Sequence, residues 1–125
     1  MKVLHDINGF TLIEILIATV IITIASSGIA TLTVGVIQGN SFSKRLTTAT
    51  VLAQDRIEQA KMINYQNVDT IAGTENYGSI ANYSGYKRIT SVSNNTPTSN
   101  MKTVTVVVYG NAEKHLVNLS TILAE

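Results

Sequence analysis

The chain of 125 residues contains no cysteine and no tryptophan, and Pro97 is its only proline. Without cysteine, the protein can form neither a disulfide framework nor a metal site with thiolate ligands. Neither of its two histidines, His5 and His115, has a cysteine partner or a second histidine for a metal site, so we predict no metal site. No set of residues suited to nucleophilic or acid–base catalysis stands out either. We therefore predict that the protein is not an enzyme and needs no cofactor.

Charged residues are also scarce. Lysine and arginine number nine and aspartate and glutamate eight, which gives a formal net charge of +1. The basic residues are scattered among the acidic ones and form no stripe of the kind that binds a phosphate backbone. The sequence therefore gives no indication of nucleic-acid binding.

What the chain does have is one long apolar segment near its amino terminus. From Phe10 to Gly39, only Glu14 carries a side-chain charge. About twenty apolar residues in a helix are enough to cross a bilayer, so we predict a transmembrane helix over residues 10–30. A carboxylate within such a segment costs roughly 2.5–3.5 kcal/mol near the bilayer centre on insertion scales. That cost makes Glu14 a candidate functional residue.

An ordinary secretory signal peptide is the alternative interpretation of this segment. Lys2 would be its charged start, residues 10–24 its apolar core and Ala25-Ser26-Ser27 its cleavage site. Two features argue against it. Glu14 would lie inside the apolar core, and the apolar run continues well beyond the proposed cut.

The helical period continues beyond the membrane-length segment. Small and apolar residues recur at three- and four-residue steps, at Leu46, Ala49, Ala53, Ile57 and Ala60. We predict a single helix over residues 10–64, because the residues from Asn64 onward favour loops. Gly35 and Gly39 form a G-x-x-x-G pair within this helix, and this spacing is common where membrane helices pack closely.

Residues 65–125 are predicted to form a small head domain. Residues 65–85 have no clear period and predict an irregular connection. Three strands are predicted after it, separated by turns at residues 93–100 and 110–114 and joined as an antiparallel meander: Tyr86–Val92, Met101–Tyr109 and His115–Leu123.

One face of this meander is predicted to cover the far end of the helix. Val104, Val106 and Val108 alternate along the middle strand and would form that face. On the last strand, the alternating residues are Val117, Leu119, Thr121 and Leu123. The helix would contribute Leu46, Ala49, Ala53 and Ile57. The predicted fold class is therefore α+β, with a long amino-terminal helix packed on a small antiparallel sheet.

Two groups of side chains in the connection are candidate binding residues. Asp69, Glu75 and Asn76 lack the spacing of a calcium loop, so we interpret them as part of a solvated loop. Four tyrosines could either pack the connection onto the head or form a contact surface for a partner, and we favour packing. They are Tyr65, Tyr77, Tyr83 and Tyr86.

The start of the chain resembles the prepilin signature of the type IV filament superfamily. A short leader ends in Gly9, Phe10 opens the apolar run, and Glu14 is the fifth residue after the glycine. The resemblance implies that residues 1–9 are a leader peptide, that a prepilin peptidase cuts between Gly9 and Phe10, and that Phe10 is then N-methylated. It also implies that Glu14 meets the amino terminus of an adjacent subunit. Two opposite charges cost far less in lipid as a pair than singly.

The resemblance further implies a pilin-like structural subunit. Such a chain is a single-pass protein of the inner membrane before assembly and belongs to an extracellular or periplasmic filament afterwards. Its partners would be the prepilin peptidase, the pilus assembly platform, and other major and minor pilins that contact its amino-terminal helix. Residues 52–61 and the last two strands are similar to those of PilV-like minor pilins. With no cysteine for the disulfide-closed loop of many major pilins, the chain fits a minor pilin of a type IV pilus better.

Two alternatives stay open at this point. Residues 52–61 are also similar to I-type pseudopilins of type II secretion systems. A protein of a different class, a bitopic membrane anchor with a small periplasmic binding module, would explain the apolar run and the head. It would leave Glu14 unexplained.

Overall fold

A computed structural model describes residues 9–125 of the chain. A long helix α1 (Leu12–Met62) is followed by a 3-10 helix (Tyr65–Ile71) and by β1 (Gly73–Glu75), β2 (Lys87–Asn94), β3 (Met101–Gly110) and β4 (Lys114–Ala124). A second 3-10 helix (Asn111–Glu113) joins β3 to β4. The α+β fold class is confirmed. Apart from Gly9, the leader peptide predicted over residues 1–9 lies outside the described residues, as does His5.

Helix α1 begins two residues later than predicted, because Thr11 caps it. The Thr11 carbonyl accepts hydrogen bonds from the backbone N–H groups of Glu14 (3.1 Å) and Ile15 (3.2 Å). The Thr11 hydroxyl oxygen accepts a further bond of 3.3 Å from the N–H of Glu14. Threonine is a favoured N-cap because its side chain satisfies N–H groups that have no partner within the helix. Phe10 therefore precedes the helix instead of opening it.

The described chain divides between Asn40 and Ser41 into two compact units. In the amino-terminal unit, residues 9–40 are exposed throughout. This part of α1 is long and apolar enough to cross a membrane, and none of its most apolar stretch is buried. A helix that is apolar on all sides requires an apolar environment outside its own unit.

The carboxy-terminal unit contains the rest of α1 and the sheet. The helix contributes Ala49, Leu52, Ala53, Ile57 and Ala60 to a buried core. Three of these five are alanines with no exposed surface, so the sheet can approach the helix backbone closely. The predicted helix face is thus largely confirmed, except at Leu46 and Leu52.

The corrections concern two leucines of the helix. Leu46 was predicted to be buried, but 37% of its surface is exposed. It lies on the same stripe as Ala49 and Ala53, so its exposure indicates that the cover provided by the sheet begins near Ala49. Leu52 is buried and was not among the predicted residues.

The sheet has four antiparallel strands in the order β1-β2-β3-β4. Strand β3 is central, and its Val104, Val106 and Val108 are fully buried in the same core cluster as the helix residues. Val106 lies opposite Thr90 of β2 and Leu119 of β4. The predicted packing of this valine face on the helix is confirmed.

The connection over residues 65–85 is more regular than predicted. Val68 and Ile71 are buried three residues apart, which matches the period of a 3-10 helix. Strand β1 follows and pairs with β2, so the sheet has four strands and not three. A three-residue strand is too short to show the alternation from which strands are recognised in a sequence.

Candidate functional site

The predicted cleavage and assembly residues lie together at the start of the amino-terminal unit. Gly9 and Phe10 precede the helix, and 80% of the surface of Phe10 is exposed. Phe10 and Glu14 line one open groove of about 370 Å³ along the helix. The other residues that line it are Ile15, Ala18, Thr19 and Ile22. The groove is apolar except for the Glu14 carboxylate and the Thr19 hydroxyl.

Glu14 has a backbone role that is separate from its side chain. Thr11-x-x-Glu14 has the pattern of a capping box, in which the glutamate side chain would accept a hydrogen bond from the Thr11 N–H. Only half of that box is present, because the bonds run from the Glu14 N–H to Thr11. Within residues 9–125, no hydrogen bond or ion pair involves the Glu14 carboxylate. The carboxylate is therefore free to meet a partner outside this part of the chain.

Several hydroxyl groups along the same helix, unlike the Glu14 carboxylate, have hydrogen-bond partners within the helix. Thr23 donates to the Thr19 carbonyl at 2.7 Å, Ser27 to Thr23 at 2.9 Å, and Thr31 to Ser27 at 3.0 Å. A polar group in hydrocarbon is costly unless it is hydrogen-bonded, and these groups are satisfied by their own helix. Glu14 is the charged side chain of residues 9–40, and no hydrogen bond or ion pair among the described residues offsets the cost of its charge.

Gly35 and Gly39 are both exposed and lie one helical turn apart. A Cβ atom built on either would meet no atom within 4 Å among the described residues. These glycines therefore leave a bare patch on the helix, and no packing within this unit requires them. The two glycines continue a row of small residues that recur every four positions along the helix. Sequence reasoning missed this row, although the four-residue spacing of its threonines and serine would have revealed it. The row comprises Thr19, Thr23, Ser27, Thr31, Gly35 and Gly39.

Two charged side chains of β1 and β2, those of Glu75 and Arg88, are paired with each other. The buried guanidinium group of Arg88 donates two hydrogen bonds to the Glu75 carboxylate, at 2.6 and 2.9 Å, and one of 2.8 Å to the Leu52 carbonyl. The hydrogen bond from Arg88, assisted by the charges of Arg88 and Arg56, lowers the pKa of Glu75 although burial acts in the opposite direction. This network ties β1 and β2 to the helix.

Two of the three residues considered for a calcium site, Asp69 and Glu75, form ion pairs within the head. Asp69 accepts a hydrogen bond of 2.6 Å from Lys102, and Glu75 is engaged by Arg88. Asp69 keeps 48% of its side chain exposed and Asn76 is exposed, in agreement with a solvated loop, whereas Glu75 belongs to β1 and is ion-paired with Arg88. Across the part of the chain that the structure describes, no three histidine, aspartate or glutamate side chains are grouped to hold a metal ion.

The tyrosines of the connection make contacts within the head. The Tyr77 hydroxyl donates to the Gly110 carbonyl at 2.7 Å, and the ring of Tyr65 lies 4.9 Å from the Lys102 ammonium group. Tyr83 and Tyr86 meet edge to face with ring centroids 6.3 Å apart. These contacts favour the packing role over a partner-contact surface.

Comparison with known proteins gives a match for the amino-terminal part of the chain. Residues 5–30 match the family model described as the prokaryotic N-terminal methylation motif. No curated protein and no solved structure matches the chain. The motif indicates a precursor of the type IV pilin or pseudopilin kind, and it implies processing by a prepilin peptidase and pilin assembly. It suggests a structural subunit, and with the apolar helix it is consistent with membrane anchoring before assembly.

Proposed function

We propose that this chain is a minor pilin, a non-enzymatic structural subunit of a type IV pilus. The observation that carries the proposal is the unpartnered carboxylate of Glu14, on a helical segment that is otherwise uncharged, is exposed up to residue 40 and follows Gly9-Phe10. A bitopic anchor needs no such carboxylate, and a membrane segment that keeps one has a use for it.

Processing would occur between Gly9 and Phe10. Both residues are exposed and precede the capped start of the helix, so a peptidase can reach the bond without unwinding helical turns. Cleavage creates an α-amino group on Phe10 that is largely cationic at neutral pH. N-methylation of this amine keeps its charge.

Assembly would then use two opposite charges that start on different subunits. The Glu14 carboxylate has no cationic partner among residues 9–125, and the new amino group of an adjacent subunit would supply one. Pairing removes most of the cost of each charge in an apolar environment. The bare helix surface at Gly35 and Gly39 would let neighbouring helices approach closely.

The processing step is tested by intact-mass analysis of the chain from a host with active prepilin peptidase. We expect the loss of residues 1–9 and one added methyl group on Phe10. Gly9→Ala should accumulate as a full-length precursor, whereas Gly28→Ala, at another exposed glycine, should be trimmed normally. A parental chain that still begins at Met1 would contradict the proposal.

The assembly step is tested by recovering variants with sheared filaments. Glu14→Ala removes a costly charge, so it should insert and be cleaved as the parent is, but should largely fail to enter filaments. Glu14→Asp keeps the charge with a shorter reach and should be intermediate, and Thr19→Ala in the same groove is the matched control. If Glu14→Ala enters filaments at the parental level, the charge-pairing role is wrong. Recovery with a secretion system and not with a pilus would favour the pseudopilin alternative.

A further inference from the structure

Strand β4 forms a long and unpaired edge of the sheet. It spans Lys114–Ala124 and pairs with β3 on one side, while its other side has no strand within the described residues. No Asp, Glu, Lys, Arg or Pro occurs between Lys114 and Glu125. Such an edge presents a row of backbone N–H and C=O groups that another strand can pair with.

The usual protections of an edge strand are missing from most of β4. Natural sheets protect their edges with short strands, central charges, prolines, bulges or a covering segment. The opposite edge uses the first of these, since β1 has only three residues. In β4, the register shift opposite Val108 and Tyr109 affects only the start of the strand, and residues 117–124 continue in regular pairing.

The inner face of β4 is also incompletely covered. Val104, Val106 and Val108 on β3 have no exposed surface, whereas Val117 and Leu119 on β4 are only half-buried. Thr121 and Leu123 continue this half-buried row. A further strand beside β4 would bury these side chains in addition to pairing the edge, because alternate residues of the new strand would lie on the same face.

We propose that the edge of β4 binds an extended peptide segment of another protein as a fifth, antiparallel strand of the sheet. Main-chain hydrogen bonds along residues 117–124 would supply affinity, and the half-covered row of Val117, Leu119 and Leu123 would select apolar residues at alternate positions. The binding surface lies in the head and does not depend on Glu14, and only the exclusion of a second copy of this chain as the partner rests on the proposed function.

The charges at the two ends of β4 define the peptide further. Lys114 lies at the start of the strand, and Glu125 directly follows its end; both are exposed. In an antiparallel pair, the amino-terminal end of the peptide lies beside Glu125 and its carboxy-terminal end beside Lys114. The matching segment therefore has a basic residue at its start, about ten uncharged residues with alternating apolar side chains, and an acidic residue at its end.

A second copy of this chain does not fit the edge through its own β4. Antiparallel pairing of two β4 strands requires a twofold axis perpendicular to the sheet. Rotation about that axis makes the helical segments packed on the two sheets run in opposite directions. If both chains are anchored in the same membrane, as proposed above, these segments must run in the same direction. Antiparallel pairing of two β4 strands is therefore excluded for anchored chains.

The test uses the full-length chain in detergent micelles and a synthetic twelve-residue peptide. The peptide has lysine first, alternating valine and threonine, and glutamate last. We expect saturable binding and at least tenfold slower amide hydrogen exchange in residues 117–124. A peptide with the two charges exchanged should bind about two- to tenfold more weakly, and one with a central proline should not bind. Unchanged exchange in β4 at the highest soluble peptide concentration would overturn the proposal.

Two matched variants locate the bound peptide. Ser120 on β4 and Ser91 on β2 are both exposed and lie on either side of Thr105 in one cross-strand row. Ser120→Lys places a charge at the middle of the edge and should weaken binding at least fivefold, whereas Ser91→Lys should bind as the parent does. Parental binding by Ser120→Lys, or equal damage by Ser91→Lys, would show that the peptide does not occupy the β4 edge.

Discussion

The two units of this chain differ in whether their apolar side chains are exposed or buried. In the amino-terminal unit, Ile21 exposes 60% of its surface and its apolar neighbours are similarly bare, whereas Val106 in the carboxy-terminal unit exposes none. The head contains enough chain to bury its own apolar residues. The first part of α1 has no such cover in its unit, so its stability depends on an apolar environment supplied from outside.

Polar groups follow the same division. Threonine and serine hydroxyls of the amino-terminal unit bond to carbonyls of their own helix, three or four residues back. The head has similar local bonds in its part of α1, but its buried polar groups bond across the fold, as Arg88 does to β1 and to the helix. A local partner persists wherever the helix is placed, whereas a distant one exists only in the folded unit.

The sharpest test of this division is a charge placed in the head core. Val106→Asp would bury a carboxylate without a partner and should cost more than about 4 kcal/mol, enough to abolish cooperative unfolding of a soluble fragment of residues 41–125. Val107→Asp lies on the opposite, half-buried face of the same strand and should be much milder. Thermal unfolding followed by circular dichroism compares them. Equal melting of Val106→Asp and the parent would contradict the observed packing.

The buried arginine provides the next largest effect. Arg88→Met would leave the Glu75 carboxylate without its hydrogen-bond donor and remove the side-chain bond to the Leu52 carbonyl, and it should cost about 3 kcal/mol in urea unfolding. Lys87→Met, which breaks the more exposed pair with Glu113, should cost less than about 1 kcal/mol. If the two variants lose the same stability, the Arg88 network does not hold β1 and β2 on the helix.

Acid should weaken the head through the same network. The pKa of Glu75 is lowered in the folded state, chiefly by its hydrogen bond with Arg88. Its contribution to stability is therefore complete above its unfolded pKa of about 4.3 and is lost as the pH falls through the lower folded value. Urea unfolding of residues 41–125 at successive pH values should show this loss below about pH 4. Glu75→Gln should be less stable than the parent at neutral pH and should lose less stability on acidification.

The smallest effects are expected when a threonine is replaced by valine, once in each unit. Thr23→Val removes a hydroxyl bonded only to its own helix, so membrane insertion should be unchanged or slightly improved. Thr90→Val in the head removes the acceptor of a 3.4 Å bond from Arg56 and should cost about 1 kcal/mol of the unfolding free energy. Insertion efficiency measures the first and urea unfolding the second. A marked insertion defect in Thr23→Val would indicate that its hydroxyl contacts something outside the helix.

Much of the fold could be predicted because its signals are periodic and local. The three- and four-residue steps of Ala49, Ala53 and Ile57 marked the buried helix face, and the two-residue alternation in β3 marked the valine face. Strand β1 was missed because three residues carry no period. The pairing of Glu75 with Arg88 was missed because its partners are 13 residues apart and no local pattern joins them.

The sequence by itself determined the membrane-length helix, the position of Glu14 after Gly9-Phe10, and the faces of α1 and β3 that are buried. These features depend on composition and spacing along one continuous stretch. Only the tertiary structure decided that Leu46 falls beyond the cover of the sheet, that Arg88 is buried with its partners, and that β4 is an open edge. Each of these depends on which distant segments meet, and that is settled by packing the whole unit at once.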